Sequence, residues 1–273
     1  MGQTRSIIIG LALVLSQTAV AAAADLGLPP PPPPEPCVGC VGPWYLKGFV
    51  GAANPDVDKI HDELLLTSPH FIIYDKDIKS SPLFGLGFGY DTGHYFRFDI
   101  TGEYRGSAVF FANAKYAGPN GGFTFNDGAG TDEYQADIES WVGLANAYID
   151  LGTWHCVTPY VGGGIGFATI DVIGLTDINT ARSGVAFAKD NSETNFAWAF
   201  YAGLAYKVNP SLTIDLSYRY TDLGDAKSGS RTSYDGQFTA GGVEIEDITS
   251  NDVMLSVRWA LGSQPAPMPV AFK

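Results

Sequence analysis

Between Trp44 and Leu261, apolar and polar side chains change places at nearly every residue. In YFRFDITGEYR (Tyr95–Arg105), Phe96, Phe98, Ile100 and Tyr104 share one parity, and Arg97, Asp99, Thr101, Glu103 and Arg105 the other. SLTIDLSYRY (Ser211–Tyr220) sets Leu212, Ile214, Leu216, Tyr218 and Tyr220 against Thr213, Asp215, Ser217 and Arg219. NDVMLSVRWAL (Asn251–Leu261) sets Val253, Leu255, Val257, Trp259 and Leu261 against Ser256 and Arg258. Successive side chains of a strand point to opposite faces, so each segment has an oily side and a charged side. Strand character recurs at Trp44–Ala53, Pro82–Tyr90, Asp137–Leu151, Thr158–Ile170 and Asn195–Val208. No helical stripe competes with these eight stretches, and the fold class is all-β.

The connections alternate in length. Asn54–Ser81, Gly106–Ala136, Asp171–Thr194 and Thr221–Ser250 are long, whereas DTGH (Asp91–His94), GTWHCV (Gly152–Val157) and NP (Asn209–Pro210) are short. This is the connectivity of an up-and-down antiparallel meander with every long loop at one end. Eight-stranded transmembrane β-barrels of the outer membrane have the same asymmetry, with short periplasmic turns and long extracellular loops.

A soluble lipocalin-like barrel has the same period with its apolar face inside, so the period alone does not say which face meets lipid. Three features point to the membrane arrangement. Trp44, Tyr95, Trp141, Tyr206, Tyr220 and Trp259 lie near strand ends, as interfacial girdles require, and Phe96, Phe98, Trp198, Phe200 and Tyr218 extend the lipid-facing rows. The opposite face carries both signs of charge: Lys47, Arg97, Arg105, Arg219 and Arg258 with Asp99, Glu103, Asp150 and Asp215. An eight-stranded bore is filled by side chains, so these groups are expected to neutralise one another as a polar core. Finally, a closed barrel satisfies every backbone group that hydrocarbon cannot. Charged residues make up only 16% of the chain, against roughly 25% in an ordinary soluble domain. The net charge of −13 offers no basic face, so nucleic acid is not an expected partner.

Glycine replaces charge in PLFGLGFGY (Pro82–Tyr90) and TPYVGGGIGFATI (Thr158–Ile170). A nucleotide-binding glycine loop needs a strand before it and a helix after it, whereas these glycines sit inside the alternation. They are expected to leave room for long side chains from across a narrow bore.

Residues 1–24 have the form of a signal peptide: Arg5, the apolar stretch SIIIGLALVL, then small residues at Ala22 and Ala24 before Asp25. Residues 25–43 form an expected periplasmic linker, with LGLPPPPPPEP (Leu26–Pro36) in extended polyproline II and CVGC (Cys37–Cys40) behind it. The barrel covers 44–261, and the Pro-containing tail 262–273 is not barrel strand. Cys37 and Cys40 fall at the same barrel end as Cys156, and Cys156 is expected to pair with one of them; a Cys37–Cys40 bridge and free thiols are the alternatives. His61, His70, His94 and His155 all fall in connections, away from any nucleophile on a strand, so no enzyme, cofactor or metal site is expected.

The segments WYLKGFVGA, NAYIDLG (Asn146–Gly152), TPYVGGG (Thr158–Gly164), YRYTDLG (Tyr218–Gly224) and the closing DVMLSVRW resemble the outer membrane immunogenic protein group of alphaproteobacteria. These small barrels are related in architecture to the OmpA transmembrane domain and to opacity-type adhesins. The resemblance implies an integral outer-membrane protein that supports envelope integrity and surface contact, sometimes labelled porin-like, without catalytic residues. Outer-membrane lipid, lipopolysaccharide, the assembly machinery, and host or envelope surfaces at the long loops are the expected partners. A small diffusion channel and a secreted lipocalin-like carrier are the competing functions.

Overall fold

A computed structural model describes residues 42–62, 71–118, 121, 129–179 and 184–262. The signal and linker segments up to residue 41, Cys37 and Cys40 among them, lie outside the described residues, as do His70 and the tail from 263.

The strands are β1 (Trp44–Asp62), β2 (Phe71–Ile78), β3 (Ser81–Asp91), β4 (Phe96–Tyr116), β5 (Gly130–Asp150), β6 (Val157–Asn179), β7 (Gly184–Ala188), β8 (Asn191–Asn209), β9 (Leu212–Lys227), β10 (Arg231–Ser233), β11 (Thr239–Ala240) and β12 (Val243–Ala260). No helix occurs among the described residues. Eight long strands close into a ring, each antiparallel to its neighbours: β1–β3–β4–β5–β6–β8–β9–β12 and back to β1. The closing pair runs from Tyr45 opposite Ala260 to Asp62 opposite Val243.

The strands reach well past the ends expected from the sequence. Much of each long connection is itself strand: β1 continues to Asp62, β4 to Tyr116 and β6 to Asn179. The short strands extend the wall, β2 pairing with β4, β7 with β6, and β10 with both β7 and β11. The barrel therefore has a second storey above the first.

The two storeys have opposite polarity. On β5, Asn146 and Tyr148 point inward at the lower level, with Trp141 and Ile149 outward. Higher on the same strand, Tyr134, Ala136 and Ile138 point inward, with Gln135 and Asp137 outward. Inward residues of the upper storey, among them Val57, Ile78, Phe110, Ile170, Leu223, Ile245 and Ile248, form an apolar plug. Surrounding solvent is the physical reason: hydrocarbon outside demands an oily exterior, whereas water outside demands an oily interior.

Bulges mark the change of storey. Register shifts fall between Arg105 and Ala108 on β4 and between Ile245 and Ile248 on β12, and Gly174, Gly224 and Asp247 have positive φ. Each inserted residue offsets the alternation by one, as bulges do at barrel rims.

The outward aromatics form two belts. Phe96 and Tyr104 on β4, Trp141 and Ile149 on β5, and Trp198 and Tyr206 on β8 are each eight residues apart. That spacing is about 26 Å along a strand and about 20 Å across a membrane for strands tilted near 40°, close to the height of an apolar band. In the outer belt, Tyr104 lies 5.5 Å from Phe84 and 5.0 Å from Trp141, and Trp198 lies 5.6 Å from Tyr220. In the inner belt, Trp44 stacks on Phe88 at 5.0 Å and meets Tyr90 edge-on at 4.9 Å. Phe98, Phe200, Tyr218 and Trp259 also face outward.

One seam interrupts the upper wall. β1 pairs with β3 only as far as Ala53 opposite Ser81. Above that point, among the described residues, β1 and β2 have no register pairs. A groove of about 530 Å³ opens there, lined by Lys59, Ile60, His61, Ile73, Tyr74 and Lys76.

Candidate functional site

Within the membrane-level bore, four charges form a closed ring. Glu103 and Arg105 share the inner face of β4, and Arg219 on β9 stands directly opposite Asp252 on β12. Arg105 Nε donates to Glu103 Oε1 at 2.9 Å, and Arg219 Nη1 to Glu103 Oε2 at 2.7 Å. Arg219 Nε and Arg105 Nη2 each donate to Asp252 Oδ2 at 2.9 Å. β4 and β9 lie on opposite sides of the eight-strand ring, so the Arg219–Glu103 contact crosses the bore. All four side chains are at most 4% exposed. Two cations and two anions sum to zero, and the bidentate geometry offsets much of their desolvation.

A second cluster lies toward the periplasmic end. Lys47 Nζ sits 3.3 Å from Asp99 Oδ2 and 3.1 Å from Tyr148 Oη, with the ammonium 5.1 Å from the Tyr148 ring centre. Asp99 also accepts from Tyr45 Oη at 3.1 Å, Tyr148 Oη at 3.2 Å and Asn146 Nδ2 at 2.8 Å. At the mouth, Arg258 clasps Asp215 at 2.8 and 3.0 Å, and Arg97 clasps Asp150 at 2.8 to 3.0 Å beneath the Tyr160 ring.

The nine charged residues singled out by parity are thus distributed over three groups inside the bore. Four partners escaped the sequence reading: Asp252, Tyr45, Tyr148 and Asn146. Asp252 was within reach, since it shares parity with Ser256 and Arg258. The tyrosines were not, because a tyrosine suits a girdle and a bore equally well.

The glycine columns serve a purpose different from the one expected. The side chains above them come from the directly paired strand, not from across the bore. A Cβ at Gly162 would lie 2.4 Å from Tyr148 Cδ1, and one at Gly89 would lie 2.3 Å from Tyr45 Cζ. Each of these glycines admits a ring folded over from its own cross-strand partner.

Little space remains. A void of about 10 Å³ lies beside Arg219 and Met254, and one of about 20 Å³ lies below the plug beside Arg105 and Ile138. Among the described residues, no buried side-chain nitrogen or oxygen lacks a hydrogen-bond partner.

A fourth charged cluster caps the plug above the membrane zone. Arg231 reaches Asp62 on β1 at 2.5 Å and Asp177 on β6 at 2.7 Å, and its Nε donates to the Gly241 carbonyl at 3.1 Å. Tyr134 Oη donates to Asp62 Oδ2 at 2.9 Å. Burial, then the charges of Asp177 and Asp62, pushes the neighbouring Asp132 carboxyl up to about 7. Arg231 and Asp177 fall in stretches assigned from sequence to loops, so this cluster had no readable signal.

Of the histidines, His61 lies on β1 and not in a loop, because β1 runs to Asp62; it borders the seam groove. His94 and His155 occupy the β3–β4 and β5–β6 turns. Among the described residues, no group of three or more His, Cys, Asp or Glu is placed to hold a metal ion.

A closed ring of strands with apolar rows outward, two aromatic belts and a charged bore defines an integral membrane β-barrel protein. Residues 10–260 match the outer membrane protein beta-barrel domain, and the chain belongs to that family. It is an outer-membrane protein. It is 30% identical to an uncharacterized protein of Brucella abortus over 168 residues, which is 60% of this chain and 58% of that one. It is 31% identical to the outer membrane protein PagN of Salmonella typhimurium over 118 residues, 43% of this chain and 48% of PagN. The chain therefore spans a little over half the length of these curated relatives or less. In structure it resembles the outer membrane protein OprG of Pseudomonas aeruginosa, with a TM-score of 0.51 and 15% identity over 82% of this chain and 99% of OprG. At that identity the likeness concerns the fold alone.

Proposed function

We propose that this protein is a sealed, non-enzymatic structural barrel that stiffens the outer membrane and carries a projecting wall for contact at the cell surface. One observation carries the reading: the bore is occupied at two successive levels, by neutralised charge within the membrane and by apolar side chains above it. An ion would have to break the Arg219–Glu103 crossing and then shed its water against Phe110, Ile170 and Ile248. Either step costs several kcal/mol.

The two aromatic belts set the barrel against outer-membrane lipid and lipopolysaccharide, and the closed ring of strands satisfies the backbone groups that hydrocarbon cannot. Above the outer belt, the β10–β11 hairpin carries Tyr234, 85% exposed, with Phe238 and Phe187 beside it. These exposed aromatics favour contact with host or envelope surfaces over a purely internal role.

Recording from the purified protein in planar bilayers tests the proposal. The expected result is no stepwise conductance under either polarity. A reproducible unitary conductance that persists across preparations would establish the diffusion channel instead.

A further inference from the structure

The edges that face each other across the seam match residue for residue, although they do not pair. The Asp91 N–H donates to the Pro43 carbonyl at 2.7 Å, so odd-numbered residues of β1 aim their backbone groups at β3, up to Ala53 opposite Ser81. Above that point the same parity, Pro55 and Val57, faces the open seam. On the other side, the Lys79 N–H donates to the Val109 carbonyl at 2.9 Å, so Lys79 faces β4, and Lys76 and Ile78 face the seam. Continuing the β1–β3 register upward would set Pro55 opposite Lys79, whose N–H is already taken by β4. That register cannot be extended.

A register shifted by one residue can form. Up β1, the seam-facing residues are Val57, Ile60 and Asp62, because the alternation slips once at the exposed Asp58 and Lys59, where Asp247 of β12 has a φ of 56°. Up β2 they are Lys76, Ile73 and Phe71, because the pairing with β4 shifts between Ile73 and Asp75. Both series run in a step of three and then a step of two. They therefore come into phase as Val57–Lys76, Ile60–Ile73 and Asp62–Phe71, with Pro55 opposite Ile78. Below them, Ser80 Oγ donates to Asn54 Oδ1 at 2.8 Å and staples the foot of the seam.

What keeps the edges apart sits at the top of β1. Asp62 is buried and held from the far wall: Arg231 on β10 reaches it at 2.5 Å, and Tyr134 on β5 donates to it at 2.9 Å. Tied across the plug, this end of β1 stays with β12, where Asp62 lies opposite Val243. The groove is left on its other side, between Ile60 and Ile73.

We propose that β1 and β2 form a zipper held open by this latch, and that release of Asp62 lets the edges pair in the shifted register and close the upper wall. Closure pairs backbone groups that now face the groove and removes Ile60 and Ile73 from water. Arg231 belongs to the hairpin that carries Tyr234, so a surface that pulls on the hairpin releases the latch. That trigger rests on the surface contact proposed above; the zipper does not.

Disulfide trapping in nanodiscs tests the zipper, with the full chain and its three native cysteines replaced by serine. His61→Cys with Ile72→Cys reports the shifted register, in which both residues stand opposite one another and point outward. His61→Cys with Ile73→Cys reports the unshifted one. On mild oxidation, the first pair should link poorly with Asp62 intact and roughly fivefold or more in Asp62→Asn, while the second pair stays unlinked in both. Tyr134→Phe removes one neutral hydrogen bond, leaves the charges of the cap in place, and should raise the first yield by a smaller factor. If heat-modifiable migration shows Asp62→Asn to be unfolded, Tyr134→Phe decides alone. A yield unchanged in the folded variants, a yield already high with the latch intact, or linkage of the second pair overturns the inference.

Discussion

Arg219 is the side chain on which the bore most depends, because its guanidinium touches both acids of the four-charge ring. Replacing it with methionine leaves Glu103 and Asp252 buried with Arg105 alone, an excess of one negative charge in a water-poor space. Loss of one partner from a buried ion pair costs about 3–5 kcal/mol, whereas a matched neutral pair is tolerated far better. Urea unfolding from lipid vesicles should therefore show a loss of about that size for Arg219→Met. Adding Glu103→Gln should restore a substantial part of it, and a double variant no more stable than the single one contradicts the ring as described. Parity placed Arg219, Glu103 and Arg105 on the inner face, but it did not pair them. Which cation meets which anion depends on strands 116 residues apart in sequence, and a period of two carries no such information.

Among the elements, β1 spans two regimes. From Tyr45 to Ala53 it has partners on both sides, whereas above Asn54 its paired neighbour is β12 alone. Successive backbone amides of an antiparallel strand face alternate neighbours. Hydrogen exchange in nanodiscs should thus find every second amide between Asn54 and Asp62 fast, and the whole of Tyr45–Ala53 slow. Uniform protection along β1 would falsify the seam. The lower half of β1 was readable because lipid enforces a strict oily row. The upper half was assigned to a loop because Asn54, Asp56 and Asp58 face water, and the inward Val57 alone does not make a pattern. On β4 the bulge before Ala108 moved the inward row of Ala108, Phe110, Ala112 and Ala114 onto the other parity, so the strand seemed to stop at Arg105.

For the whole molecule, the cap of Arg231, Asp62, Asp132, Asp177 and Tyr134 joins β1 to β5, β6 and β10 across the upper storey. The fold holds the Asp132 proton up to about 7, above the ordinary 3.8. The folded chain thus binds that proton more tightly than the unfolded chain. Its contribution to stability is complete at acid pH and is lost as the pH climbs from about 4 to about 7. The temperature at which the folded form converts on gel electrophoresis should fall more between pH 5 and pH 8 for the wild-type protein than for Asp132→Asn. Equal falls in the two proteins contradict this account.

The alternation and the length of the joins determined the strand class, the eight lower strands and their antiparallel order. The girdle aromatics, with the two-signed charge of the opposite parity, determined which side chains face lipid. Only the tertiary structure decided the second storey with its inverted polarity, the pairing of charges across the bore, and the cap on Arg231. These depend on what surrounds each stretch of strand and on which distant strand it meets. Water above the membrane turns the same two-residue period inside out, and the period by itself is the same on either side of that boundary.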